Sequence, residues 1–104
     1  MPQISKQKKE KIQEQILSHL YSIFPKQVFT AEIAREIARD EEFIKSLLAD
    51  LEKKELVVKV NKNPDGNIYS RRLRWRLSNK AQEAYSKAYL YYHNNQIQDK
   101  QTPN

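Results

Sequence analysis

The sequence predicts one small α+β domain with the element order α-α-α-β-β-α, opening on a long amphipathic helix. Three observations carry this. Apolar residues recur at helical spacing in three successive stretches; a turn-forming segment, Asn63-Pro64-Asp65-Gly66, separates two strand-like apolar runs; and Ser78 stands in front of a further helical stretch. At 104 residues the chain can bury one modest core and has no room for a second.

The first helix is expected from about Ser5 to Phe24. Ile12, Ile16, Leu17, Leu20, Ile23 and Phe24 make one stripe, with Lys8, Lys11, Glu14, Gln15 and Ser18 opposite, and Pro25 ends it. A short extended piece, Val28-Phe29, leads to Thr30, a candidate N-cap for a helix from Ala31 to about Arg39 whose buried face is Ile33, Ala34, Ile37 and Ala38. Asp40 then caps a third helix. Glu41 and Glu42 suit its positive end, and Ile44, Leu47, Leu48 and Leu51 form its core stripe.

Two strands follow, Leu56 to Asn61 and Ile68 to Leu77. In the second, Tyr69, Leu73, Trp75 and Leu77 share one parity and Arg72, Arg74 and Arg76 the other, so one face packs and the other is a ladder of guanidinium groups. A type I turn at Asn-Pro-Asp-Gly pairs Asn63 with Asn67, which sets Val57 opposite Leu73 and Lys59 opposite Arg71. Ser78 caps the last helix, which carries Ala81, Ala84, Tyr85, Ala88, Tyr89 and Tyr92; Tyr85, Ala88 and Tyr92 are expected against the first helix. From Asn94 the sequence turns polar. The domain is therefore expected over residues 1–93, with a disordered tail over 94–104.

Charge is unevenly placed. Residues 31–55 carry five basic and eight acidic side chains, whereas residues 56–80 carry seven basic and one acidic, out of a net +6 for the chain. A basic hairpin beside short helices suits a phosphate backbone. The chain has no cysteine, and no apolar run approaches bilayer length, which fits a soluble protein of the cytoplasm with no membrane partner. His19 and His93 have no ligand-spaced neighbours, one glycine cannot build a phosphate loop, and the acidic pairs sit where helix capping explains them. No cofactor, metal or catalytic residue is expected, and the chain reads as non-enzymatic.

The order of elements, together with Thr30-Ala31-Glu32-Ile33-Ala34-Arg35-Glu36-Ile37, Leu48-Ala49-Asp50-Leu51-Glu52-Lys53-Lys54-Glu55-Leu56-Val57 and Arg74-Trp75-Arg76-Leu77-Ser78-Asn79-Lys80-Ala81, resembles the winged helix-turn-helix proteins, in particular small regulators of the MarR and PadR kinds. The resemblance covers about residues 8 to 92. It implies a transcriptional regulator that binds double-stranded DNA, with the third helix in the major groove and the hairpin as a wing on the flanking backbone or minor groove.

The outward face of the third helix then holds Glu42, Lys45, Ser46, Ala49 and Lys53. Lys45 and Ser46 can reach base edges or phosphates, and Glu42 can accept from a cytosine amino group. Phosphate contacts fall to Arg71, Arg72, Arg74 and Arg76 on the stem of the wing, Lys62 alone at its tip can enter a minor groove, and Lys53 and Lys59 complete the candidate nucleic-acid-binding set. The chain departs from the family pattern at Glu55, where a glycine commonly precedes the wing. The resemblance also implies a homodimer through the terminal helices, for which His19, Tyr21, Leu90 and Tyr91 are the unused apolar groups. Two wings would then sit about 34 Å apart on DNA. Two alternatives stand beside this reading: an RNA- or ribosome-associated winged helix, and a protein-protein adaptor using the acidic middle segment.

Overall fold

A computed structural model describes residues 5–61 and 73–101, with side chains as far as residue 94. Its elements are α1 (Lys6–Ser22), β1 (Val28–Phe29), α2 (Thr30–Ile37), α3 (Glu41–Lys53), β2 (Val57–Val60), β3 (Arg74–Leu77) and α4 (Asn79–Gln101). The three strands form one antiparallel sheet in the order β1-β3-β2.

The helical stripes become one core. Ile12, Ile16, Leu17 and Leu20 of α1, Ile33 and Ala34 of α2, and all four expected residues of α3 are buried together with Val28, Val57, Trp75, Leu77 and Ala81. Trp75 sits on the central strand, and its indole Nε1 donates to Thr30 Oγ1 at 2.8 Å in the interior. This corrects the expected role of Thr30. Phe29 is the N-cap residue of α2, and the threonine hydroxyl serves the tryptophan instead, since burying an indole N–H without an acceptor would be costly. Glu32 completes the start of α2 by accepting the Phe29 amide at 3.2 Å. Ser5 and Asp40 cap α1 and α3 through Lys8 N at 3.2 Å and Phe43 N at 3.1 Å.

Both short helices end in a left-handed residue that is not glycine. Ala38 and Glu55 each have φ of 62°. After α2, Ala38 N donates to Arg35 O and Arg39 N to Ala34 O; after α3, Glu55 N donates to Glu52 O and Leu56 N to Leu51 O. These paired bonds are the Schellman closure, which favours glycine at the left-handed site because a Cβ there crowds the following carbonyl. Ala38 is therefore exposed at the end of α2, not on its buried face as the helical spacing suggests. Replacing it by glycine is expected to stabilise the fold by about 1 kcal/mol in urea melts.

The strand register differs from the one a tight turn dictates. Val57 pairs with Leu77, Lys59 with Trp75 and Val60 with Arg74; the expected partners were Leu73 for Val57 and Arg71 for Lys59. Burial sets the ladder: Val57 and Leu77 enter the core together, and Ser78 N donates to Leu56 O at 3.0 Å to close its end. The turn Asn63-Pro64-Asp65-Gly66, with Ile68 and Tyr69, lies outside the described residues. Leu73 and Ile37 pack against the core from its edge and are only partly buried.

Ser78 starts α4 as expected, accepting from Ala81 N at 3.0 Å while its hydroxyl donates to Glu55 O at 2.9 Å. The first two turns of α4 meet α1. Tyr85 stacks on Tyr21 with ring centroids 5.5 Å apart, and the Tyr21 hydroxyl shares a hydrogen bond with Ser86 Oγ at 3.2 Å. Burial, and then the carboxylate of Glu14, push the Tyr85 phenol above the usual tyrosine value of 10.0. Beyond this contact α4 leaves the domain, so Ala88 and Tyr92 are exposed instead of packing on α1, and the helical backbone continues past the polar change at Asn94 to Gln101. No helix among the described residues is long and apolar enough to cross a membrane.

Candidate nucleic-acid interface

The leucine stripe of α3 fixes which side of that helix faces out. With Ile44, Leu47, Leu48 and Leu51 in the core, Glu42, Lys45, Ser46 and Lys53 are all exposed and Ala49 is half-buried among them. Ser46 Oγ donates to Phe43 O at 2.7 Å, which leaves its lone pairs outward as acceptors. Lys45 and Lys53 are eight residues apart on a helix that rises about 1.5 Å per residue, so the basic face runs for about 12 Å along the axis.

The hairpin stands along one flank of this face. Lys59 of β2 reaches Glu52 of α3 at 4.0 Å, with the two side chains 38% and 40% exposed. A pair so open to water is worth about 0–1 kcal/mol, so Lys59 can exchange its carboxylate for a phosphate at little cost. At the root of the hairpin Glu55 holds Lys80 Nζ at 3.4 Å, again an exposed pair. Glu55 thus stands in the left-handed position where the family pattern has glycine, and its carboxylate points to the start of α4.

Arg74 and Arg76 lie on the outer face of the sheet, away from the helices, as their parity required. They do not form a bare ladder. Phe29 and Val60 are the register partners of Arg74 across β1 and β2, and Val58 is the partner of Arg76, so both arginines are half-buried in a mixed apolar and basic surface. Arg76 Nη1 donates to Leu77 O at 2.8 Å and to Asn79 Oδ1 at 3.4 Å, which turns that guanidinium toward the beginning of α4. Lys62, Arg71 and Arg72 lie outside the described residues.

The fold therefore brings Glu42, Lys45, Ser46, Lys53 and Lys59 to one surface and sets Arg74 and Arg76 on the adjoining outer face of the sheet. Lys6, Lys9 and Lys54, which the sequence did not single out, meet Lys53 around one cleft between α1 and α3. Their charges were visible in the sequence, but the packing of α1 on α3 is tertiary and no spacing announces it. Among the described residues no group of histidine, aspartate or glutamate side chains is placed to hold a metal ion.

No family model matches the sequence, and no curated protein matches it either. Among solved structures the chain is similar to a DNA complex of MepR from Staphylococcus aureus, at 21% identity and a TM-score of 0.62 over 85% of this chain and 70% of that one. It is also similar to MepR bound to an oligodeoxyribonucleotide, at 22% identity and a TM-score of 0.63 over 88% of this chain. A third match is the apo form of ZitR from Lactococcus lactis, at 22% identity and a TM-score of 0.61 over 89% of this chain. MepR is a transcription regulator of the multidrug efflux pump MepA. The chain spans 64% of the length of ZitR and of the oligodeoxyribonucleotide-bound MepR, and 50% of a further MepR structure. These likenesses establish the fold as a winged helix, the one that the resemblance of the sequence implied.

Proposed function

We propose that this chain is a DNA-binding transcriptional regulator that sets α3 into the major groove of duplex DNA and lays the β2-β3 hairpin on the flanking backbone. The observation that carries this reading is the exposed face of α3: Lys45, Ser46 and Lys53 project from it, uncovered among the described residues, beside a basic hairpin. Its support from outside is that a chain of the same fold, MepR, is found in complex with DNA. Phosphates supply most of the affinity in this reading, and the α3 side chains supply the preference among sequences. The protein acts as a binding protein without catalysis, in the cytoplasm, and as a homodimer through α4. Its exposed Tyr89, Leu90, Tyr91 and Tyr92 would otherwise stand in water.

The test is selection from a pool of random duplexes, followed by binding measurements on the selected sequence. Lys45→Ala and Ser46→Ala are each expected to change the preferred sequence, lowering discrimination by about 1–3 kcal/mol at one position if the side chain reads a base. Selection that enriches no duplex, or a selected sequence that both variants bind as the parent does, would remove α3 as the reading element. Preferential capture of an RNA hairpin in the same format would move the reading to A-form nucleic acid.

A further inference from the structure

Asp50 and Glu52 of α3 are two residues apart, so they point about 200° from one another around the helix. Glu52 meets Lys59 of the hairpin, whereas Asp50 lines a cleft of about 320 Å³ with Lys6, Lys9 and Glu10 of α1 and with Lys53 and Lys54 at the end of α3. The outward face of α3 is thus bordered on one side by the hairpin and on the other by the start of α1. Lys53 belongs to both the face and the cleft.

All four lysines of this border are exposed. The ion pairs among the described residues are Lys59 with Glu52 and Lys80 with Glu55, so neither Glu10 nor Asp50 neutralises a lysine of the cleft by direct contact. Four cations and two acids leave the cleft at about +2, the sign that a phosphate backbone requires. A helix about 10–12 Å across fills a major groove about 12 Å wide, so a backbone runs along each of its flanks. One flank has the hairpin; the other has this cleft.

We propose that Lys6, Lys9, Lys53 and Lys54 form a second phosphate-binding edge, which grips the DNA backbone on the side of α3 opposite the hairpin. The inference rests on the reading of α3 as the groove-facing helix and adds a contact surface to it. The edge positions the duplex and carries no sequence information, because ammonium groups on phosphates do not see the bases.

The experiment uses the full chain with Lys6→Gln, Lys9→Gln and Lys54→Gln combined, leaving Lys53 in place because it also lies on the α3 face. Duplex affinity is measured against salt concentration, and circular dichroism melting checks that the variant folds as the parent does. The slope of log K on log salt is expected to fall in magnitude by about 2 to 3. The order of preference among duplexes should stay the same, and arginine at the three positions should restore the slope. An unchanged slope in a folded triple variant, while Lys45→Ala still alters binding, would overturn the second edge and leave the α3 reading standing. A parent protein with no salt-dependent duplex binding would overturn both.

Discussion

Trp75→Ala is expected to cost about 3–5 kcal/mol, a large share of the about 5–15 kcal/mol that holds a small domain together. Two effects combine there. The indole is 2% exposed on the central strand of the sheet, which packs on α1, so its loss leaves a cavity in the core beside α1 and Thr30 of α2. It also strands the Thr30 hydroxyl, which accepts the indole N–H at 2.8 Å. Thr30→Val separates the second effect from the first and should cost about 1–3 kcal/mol, since it deprives a buried N–H of its acceptor with little change in volume. Urea titrations followed by circular dichroism check both, because the alanine variant has no tryptophan to report fluorescence. A loss below about 1 kcal/mol for Trp75→Ala would mean that the sheet is not packed on the helices as described.

The helices were legible because their stripes are regular. Ile44, Leu47, Leu48 and Leu51 follow the helical period, with Asp40 to mark the start, and each is buried. The parity of Trp75 and Leu77 against Arg74 and Arg76 likewise separated the inner face of the sheet from the outer one. Register was not legible, because the turn residues suggested one pairing while the burial of Val57 with Leu77 set another. The partner of Thr30 was hidden for a similar reason: a threonine before a helix suggests a cap, and only the fold brings an indole from β3 to it. The departure of α4 from α1 after Tyr85 was also beyond the sequence, since its alanines and tyrosines keep a helical spacing whether or not anything covers them. At the interface, the outward residues of α3 could be read from its stripe. The cleft against α1 and the attachment of Arg76 to Leu77 O and Asn79 Oδ1 depend on the folded arrangement.

Leu90→Glu combined with Tyr91→Glu is expected to convert a dimer to a monomer and to weaken binding to a duplex with two half-sites by about 100-fold or more, because the second half-site would no longer be bound at high effective concentration. The aromatic and aliphatic groups involved stand 57% to 71% exposed along one stretch of α4, and such a run of large apolar side chains is the usual mark of a surface covered by another chain. Tyr21, which the sequence suggested as part of the same interface, is already occupied within the chain by Tyr85 and Ser86, so the proposed contact belongs to α4 beyond residue 88. Sedimentation of the parent and the variant, followed by titration with single and paired half-sites, checks the expectation. A parent that stays monomeric at micromolar concentration with and without DNA would show that α4 serves another partner.

The most direct test of α3 and the hairpin as the DNA-binding surface is amide chemical-shift mapping on the intact chain as duplex DNA is added. Perturbations are expected to concentrate at Lys45, Ser46, Ala49 and Lys53 of α3, with a second set at β2, and little change at the core residues of α1. Perturbations confined to α4, or none at all in low salt, would contradict the claim that α3 and the hairpin are the DNA-binding surface.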